Sequence, residues 1–307
     1  MTTYLVTGGA GFIGSHLCEA LIARGETVRV LDDLSTGKRG NLPRDVELIE
    51  GDAADERLMH RAVEGVAGCF HLAAIASVER GVTDWLGTHR TNLTATITLF
   101  DAIRRSSAKI PVVYASSAAV YGDVATVPIT EGSDCRPLSA YGADKYACEL
   151  HARVASHVHA IPTVGLRFFN VYGPRQDPAS PYSGVISIFC DKIRRGGPIR
   201  IFGDGLQTRD FVYVADVVTT LLCAMRLRPD DAPVFNVCTG IPTSVLDLAH
   251  VIADLLGTSP DIEYAVPRTG EIRHSTGSSA RARAALTLPE PKPLRDGLAT
   301  VLGWLAT

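Results

Sequence analysis

The chain predicts an α/β fold, a doubly wound parallel sheet with helices on both faces, and three features of the sequence predict it. Short apolar runs alternate with helical stretches through the first half. Gly8, Gly11 and Gly14 recur at three-residue spacing between the first run and the first helical stretch. The second run closes on the acidic pair Asp32 and Asp33.

Taken in order, the strand-like runs cover residues 4–6, 28–31, 47–50, 69–72, 112–115 and 163–168. Runs of this kind, separated by helical patterns, build βαβ units and hence a parallel sheet. On the first helical stretch Leu17, Leu21 and Ile22 form an apolar stripe, and Gly25 supplies a stop. Residues 91–105, with Leu93, Ile97, Phe100 and Ile103, read as another crossover helix, and residues 140–152 are good helix formers. After about residue 170 the texture changes, and Pro174, Pro178, Pro181 and Gly184 mark a loop-rich segment where a substrate-facing region begins. Residues 210–225 return to strand and helix, so two domains interleave in the chain. The expected division assigns residues 1–168 and about 207–235 to the sheet domain. Residues 169–206 and 236–307 form a smaller C-terminal substrate-binding domain.

Bulk properties exclude several classes of function. At 307 residues and 46% hydrophobic content the chain can bury a large core. A net charge of −3 without a long basic run argues against a nucleic-acid partner. No run of about 18 apolar residues is present, so no membrane partner is expected. The first residues enter a strand without the zones of a signal peptide, which points to the cytoplasm. Seven scattered cysteines without a Cys-x-x-Cys pair read as reduced, packed thiols. His157 and His159 have no carboxylate or cysteine at metal-site spacing, so no metal is expected.

The glycines carry the first piece of chemistry. Glycine lets the backbone turn sharply after the first strand, approach a pyrophosphate and pack the next helix close to the sheet. The helix opening at Phe12 and Ile13 then points its free N–H groups at the phosphates. A carboxylate at Asp32 or Asp33 accepts from a ribose 2′-hydroxyl and repels a 2′-phosphate, so NAD is favoured over NADP. Together these features describe a Rossmann-type dinucleotide cradle. An ordinary tight turn with capping aspartates is the alternative.

Tyr141 and Lys145 supply the second piece, because residues four apart on a helix project from one face. A phenol with a reference pKa of about 10 must be lowered by ~3 pH units, or ~4 kcal/mol, to act as a base near neutrality. One lysine charge about 5 Å away supplies roughly 3 kcal/mol at an effective dielectric near 20, and the positive nicotinamide ring of NAD⁺ adds the rest. Ser116 and Ser117 lie at the carboxyl end of a strand, where open α/β sheets bind ligands. A serine hydroxyl there either bonds the reacting oxygen or caps a turn.

The runs TGGAGFIG (7–14), SSAAVYG (116–122), YGADK (141–145) and RFFNVYGPRQDP (167–178) together resemble the extended short-chain dehydrogenase/reductase family. Within it they resemble the NAD-dependent nucleotide-sugar 4-epimerases that act on UDP-glucose or UDP-N-acetylglucosamine. The resemblance implies that Ser117, Tyr141 and Lys145 are the catalytic triad and that NAD is the cofactor. It places Asp32 at the adenosine ribose, Asp52 and Ala53 at the adenine, and Leu72, Ala73, Ala74 and Asn92 along the cofactor. It places Ser77 and Asn170 on the substrate side, Arg209 and Arg268 at the diphosphate of a UDP-sugar, and Glu271 at the uridine ribose. Ser275 matches a gatekeeper that is small where N-acetylated sugars are admitted. The run Arg175 to Pro178, followed by Tyr182 and Gly184, resembles the UDP-N-acetylglucosamine branch.

Dehydratases of the superfamily carry acidic residues after the catalytic Ser or Thr, and here those positions are Ala118 and Ala119. Epimerisation is therefore favoured over elimination. A UDP-glucuronate 4-epimerase, a dehydratase or decarboxylase, and a non-catalytic NAD-binding protein are the alternatives. The resemblance also implies a homodimer through residues 91–105 and 141–157.

Overall fold

The computed structural model describes residues 2–76, 78–106, 108–178, 184–267 and 272–306. Its first half runs β1 (Thr3–Thr7), α1 (Phe12–Ile22), β2 (Thr27–Asp32), β3 (Glu47–Glu50), α2 (Glu56–Val63) and β4 (Gly68–His71). Next come α3 (Val78–Thr83), α4 (Trp85–His89), a π turn (Arg90–Thr94), α5 (Ala95–Arg105), β5 (Val112–Ser117), α6 (Ala140–His159) and β6 (Thr163–Phe168). The second half holds β7 (Asn170–Tyr172), α7 (Val185–Arg194), β8 (Ile199–Phe202), β9 (Thr208–Tyr213), α8 (Val214–Ala224) and β10 (Val234–Val237). The chain closes with β11 (Pro242–Ser244), α9 (Val245–Leu255), β12 (Ile262–Ala265), β13 (His274–Ser275), α10 (Ala280–Leu286) and α11 (Leu294–Leu305).

Seven strands form one sheet in the order β10-β6-β5-β4-β1-β2-β3. The pairs β1–β2, β2–β3, β1–β4 and β4–β5 are all parallel. The chain winds outward through β2 and β3, then returns to add β4 on the other side of β1. That reversal opens a crevice at the carboxyl ends of β1 and β4. Helices cover the sheet, and Leu5, Leu31, Ile49, Met59, Leu99, Phe100, Ile103 and Val112 pack into a continuous buried core.

Local chemistry explains the element ends. α1 stops because Gly25, at φ +79°, turns its N–H back to the Ile22 carbonyl at 2.8 Å. Asp55 caps α2 through the N–H groups of Arg57 and Leu58, at 2.9 and 3.0 Å. Ser139 caps α6 through Gly142 N at 3.0 Å.

Two departures from the sequence reading stand out. The helix expected over residues 91–105 opens as the π turn before becoming regular. Within it the Asn92 carbonyl accepts side-chain bonds from Thr96 Oγ1 at 2.9 Å and Cys148 Sγ at 3.3 Å, which draw the ladder open. The second departure is the division of the chain into two compact units. The first comprises residues 1–122, 134–167 and 218–235, the second 123–133, 168–217 and 236–307. Residues 207–217 thus leave the sheet unit, because β9 pairs with β7, β11 and β13. Residues 123–133 join them, because Ile129 N donates to Thr276 O at 2.8 Å and Ile129 O accepts from Ser278 N at 2.8 Å.

Candidate active site

The glycine turn is built by close approach. Gly8 sits at φ +69°, and a Cβ there would lie 2.7 Å from Ala73 N, so the turns after β1 and β4 touch backbone to backbone. A Cβ on Gly14 would overlap the Gly8 carbonyl and lie 2.7 Å from Gly9 Cα, which pins the first turn of α1 onto the loop. Gly11 differs: a Cβ there would meet only Gly8 O, at 3.3 Å, and otherwise open space. No carboxylate occupies the first turn of α1 and no side chain caps it. An open face above bare helix N–H groups fits a pyrophosphate, so these residues fit a dinucleotide.

Asp32, expected at a ribose, braces that loop. Its Oδ2 accepts from Ala10 N and its Oδ1 from Leu34 N, each at 2.9 Å. Burial pushes its carboxyl up, and the two N–H bonds oppose that rise. Each oxygen keeps a further lone pair for a hydroxyl donor. Asp33 is exposed and accepts from Ser35 N at 2.9 Å. Asp52 accepts from Ala54 N at 2.8 Å and pairs with Arg90 at 3.0 Å, beside buried Ala53.

Beyond β4, Leu72, Ala73 and Ala74 are half-buried along the crevice. Asn92 is not among the exposed lining. It is fully buried, and its amide bonds Ile75, accepting from Ile75 N at 2.8 Å and donating to Ile75 O at 3.3 Å. These bonds tie it to the segment that follows β4. A polar file continues inward: Ala73 N donates to Thr7 Oγ1 at 3.2 Å, Thr7 meets His71 Nδ1 at 2.7 Å, and His71 Nε2 meets Thr96 Oγ1 at 3.0 Å. Because the Thr96 proton goes to Asn92 O, the assigned tautomer of His71 carries its proton on Nε2. Burial, reinforced by the Lys145 charge, holds this imidazole down to about 3, so it is neutral.

The three catalytic candidates belong to adjoining elements of the first unit. Tyr141 lies in the first turn of α6, and Lys145 is buried one turn on, with Nζ 6.0 Å from the Tyr141 ring centre. Gly142 lets α6 settle on the turn after β5, since a Cβ there would lie 2.5 Å from Ala119 O. Ser117 opens that turn and accepts from Ala119 N at 3.1 Å. The capping role is therefore real, and the hydroxyl still has its own proton to donate.

A buried clamp fixes these elements relative to one another. Ser116 Oγ donates to Glu149 Oε1 at 2.5 Å, and Arg167 grips the same carboxylate through Nε at 2.8 Å and Nη2 at 2.6 Å. Arg167 Nη1 also donates to Tyr121 Oη at 2.8 Å. Ser116 precedes Ser117, and Glu149 lies one helical turn beyond Lys145. The sequence reading missed this clamp, although the i+4 spacing of Lys145 and Glu149 was its visible trace.

In the second unit, β9 collects the substrate-side candidates. Arg209 stands between Thr243 of β11 and Ser275 of β13 in register, and Asn170 of β7 pairs with Phe211 two residues on. Asp210, fully buried, ties the neighbouring loops by accepting from Thr239 N at 2.7 Å, Gly240 N at 2.8 Å and Gly277 N at 3.3 Å. Ser77, Arg268, Glu271 and Tyr182 lie outside the described residues. Among the described residues no group of His, Cys, Asp and Glu could hold a metal, and no helix is long and apolar enough to cross a membrane.

Residues 4–238 match the model of the NAD dependent epimerase/dehydratase family. The chain belongs to that family. It is an NAD-dependent enzyme, and the cradle described above has the chemistry such a cofactor needs. It is similar to the UDP-glucose 4-epimerase of Mycolicibacterium smegmatis, 36% identical over 301 residues, covering 96% of each chain. Its structure resembles the UDP-glucose 4-epimerase of Thermotoga maritima solved with UDP-glucose, at 36% identity and TM-score 0.95, covering 99% of each chain. It also resembles a UDP-N-acetylglucosamine 4-epimerase from Methanobrevibacter ruminantium in complex with UDP-N-acetylmuramic acid. That match has 34% identity and TM-score 0.94, and covers 99% and 98% of the two chains.

Proposed function

We propose that the chain is a UDP-sugar 4-epimerase that interconverts UDP-GlcNAc and UDP-GalNAc and accepts UDP-Glc and UDP-Gal as further substrates. The observation that carries the reading is Tyr141 one turn before buried Lys145 on α6, together with Ser117 at the end of β5 followed by Ala118 and Ala119 where elimination would need an acid. Tyr141 takes the proton of the sugar O4, and Ser117 donates to the same oxygen. NAD⁺ held by the cradle of Gly8, Gly11 and Gly14 would supply the hydride acceptor and donor for C4. Arg209 holds the diphosphate while the 4-keto hexose turns over, because a guanidinium fork meets phosphate oxygens in pairs. Ser275, in register beside Arg209, leaves room for an acetamido group. The names of the similar proteins support both hexose classes.

A product-resolved assay across UDP-Glc, UDP-GlcNAc and UDP-GlcA, without added reductant, tests this. We expect UDP-GalNAc of unchanged mass from UDP-GlcNAc. A product of altered mass favours a dehydratase or decarboxylase, and no conversion of any UDP-hexose overturns the reading.

The same proposal includes a homodimer. Leu150, Val154 and Val158 form an exposed apolar stripe at i, i+4 and i+8 along α6, and Ile97 of the adjoining α5 is exposed too. Such a stripe is costly to leave in water. Light scattering should give twice the chain mass, and Val154→Glu should return a monomer.

A further inference from the structure

Asp144 stands between the two catalytic candidates in sequence, on the buried side of α6. Its place there is costly. The residue is 5% exposed, and its Oδ2 has no hydrogen-bond partner among the described residues. Its Oδ1 is held at 2.8 Å by Nδ1 of His89, the last residue of α4, whose ring is part-exposed. Alanine or serine would fill the position without burying a charge, and a buried carboxylate with an unsatisfied oxygen adds little to stability. Packing therefore does not explain the carboxylate.

Its charge shares surroundings with Lys145. Both act on Cys148, one turn further along: burial pushes that thiol up, Lys145 opposes the rise, and Asp144 adds to it. An epimerase needs its proton carrier to take and return a proton in every turnover, which works best when neither direction is steeply uphill. Lys145 favours the phenolate, and a carboxylate nearby pushes back.

We propose that Asp144, fixed by His89, is a positioning residue whose charge sets the pH range over which Tyr141 exchanges its proton. This role rests on the functional reading of Tyr141 as the proton carrier. The other charged or titratable groups on elements packed against α6, among the described side chains, are mostly paired or neutral. Arg90 of the π turn pairs with Asp52 at 3.0 Å, Arg105 of α5 with Asp101 at 2.7 Å, and Arg104 with the same Asp101. Glu149 is held by Arg167 at 2.6 Å, Tyr114 of β5 is kept neutral by burial, and Arg80 is the cation of α3 among the described side chains. His71 of β4 is neutral.

Near-ultraviolet phenolate absorbance, titrated in the protein and in its Tyr141→Phe variant, isolates Tyr141 by difference. Asp144→Asn keeps an oxygen for His89 and removes the charge. We expect its midpoint to fall by about half to one pH unit, with the acid limb of kcat/KM following and UDP binding unchanged. His89→Gln keeps a donor but loosens the hold on Asp144, so any change in its midpoint should run through residue 144. The double variant should titrate like Asp144→Asn alone. Superimposable titrations of the parent and Asp144→Asn overturn the proposal, as does a His89→Gln shift that persists when residue 144 is Asn. Should Asp144→Asn fail to fold, Asp144→Ser takes its place, where a midpoint that falls supports the proposal and one that stays or rises overturns it. The absorbance needs no substrate, so absence of epimerisation would defeat the functional reading while leaving this test intact.

Discussion

The two compact units hold their candidate residues in different ways. In the first, the chemistry is written at short range: Gly8, Gly11 and Gly14 share one turn, and Tyr141 and Lys145 share one helical face. The elements carrying them are then locked by buried polar bonds, above all the Ser116–Glu149–Arg167 clamp. In the second unit, Asn170, Arg209 and Ser275 come from three separate strands and meet only through the register of β9. Reacting groups tolerate little displacement and so sit within a turn of one another. Groups that grip a nucleotide can be exchanged one strand at a time.

The largest effect should separate chemistry from grip. Replacing Tyr141 with Phe should lower kcat by about 10²- to 10⁴-fold, while calorimetry shows UDP and NAD binding kept. A matching loss of binding would break the contrast between the units. Next comes the clamp. Glu149→Gln leaves Arg167 as a buried cation against a neutral amide, and removing one partner of a buried pair costs about 3–5 kcal/mol. Denaturant melts should show that loss, and a melt unchanged from the parent would mean that the clamp does not brace the first unit.

Smaller and more selective effects are expected from the second unit. Ser275→Tyr fills the room assigned to an acetamido group and should cut kcat/KM for UDP-GlcNAc by about ten- to two-hundredfold, sparing UDP-Glc. Equal losses on both sugars would remove Ser275 from substrate choice. Smallest is Arg209→Lys, which keeps the charge but not the fork. UDP should bind about tenfold more weakly with kcat for the bound sugar unchanged, as titration calorimetry beside saturation kinetics would show.

Much of the fold could be read from sequence because it rests on periods and punctuation. The strand expected at 47–50 is Glu47–Glu50, that at 163–168 is Thr163–Phe168, and the run at 4–6 lengthens only to Thr3–Thr7. Gly25 ends α1 because a positive φ at that point suits no other residue as well. Reading failed where a distant partner decides the outcome. Nothing near Asn92 announces that its carbonyl will also accept from Cys148, or that its amide will close on Ile75. Residues 123–133 look like a loop between a strand and a helix, and only Thr276 and Ser278 show which unit they join.

From the amino-acid order alone came the glycine cradle, the acidic end of β2, and the shared face of Tyr141 and Lys145. Each depends on backbone freedom or helical spacing within a few residues, and the chain carries those with it into any fold. Tertiary structure alone decided that Asp32 braces Ala10, that Glu149 is gripped by Arg167, that Asp144 is held by His89, and that Arg209 lies beside Ser275. Those partners are far apart along the chain, and a buried polar group is satisfied only by whatever the folded path brings within hydrogen-bond reach.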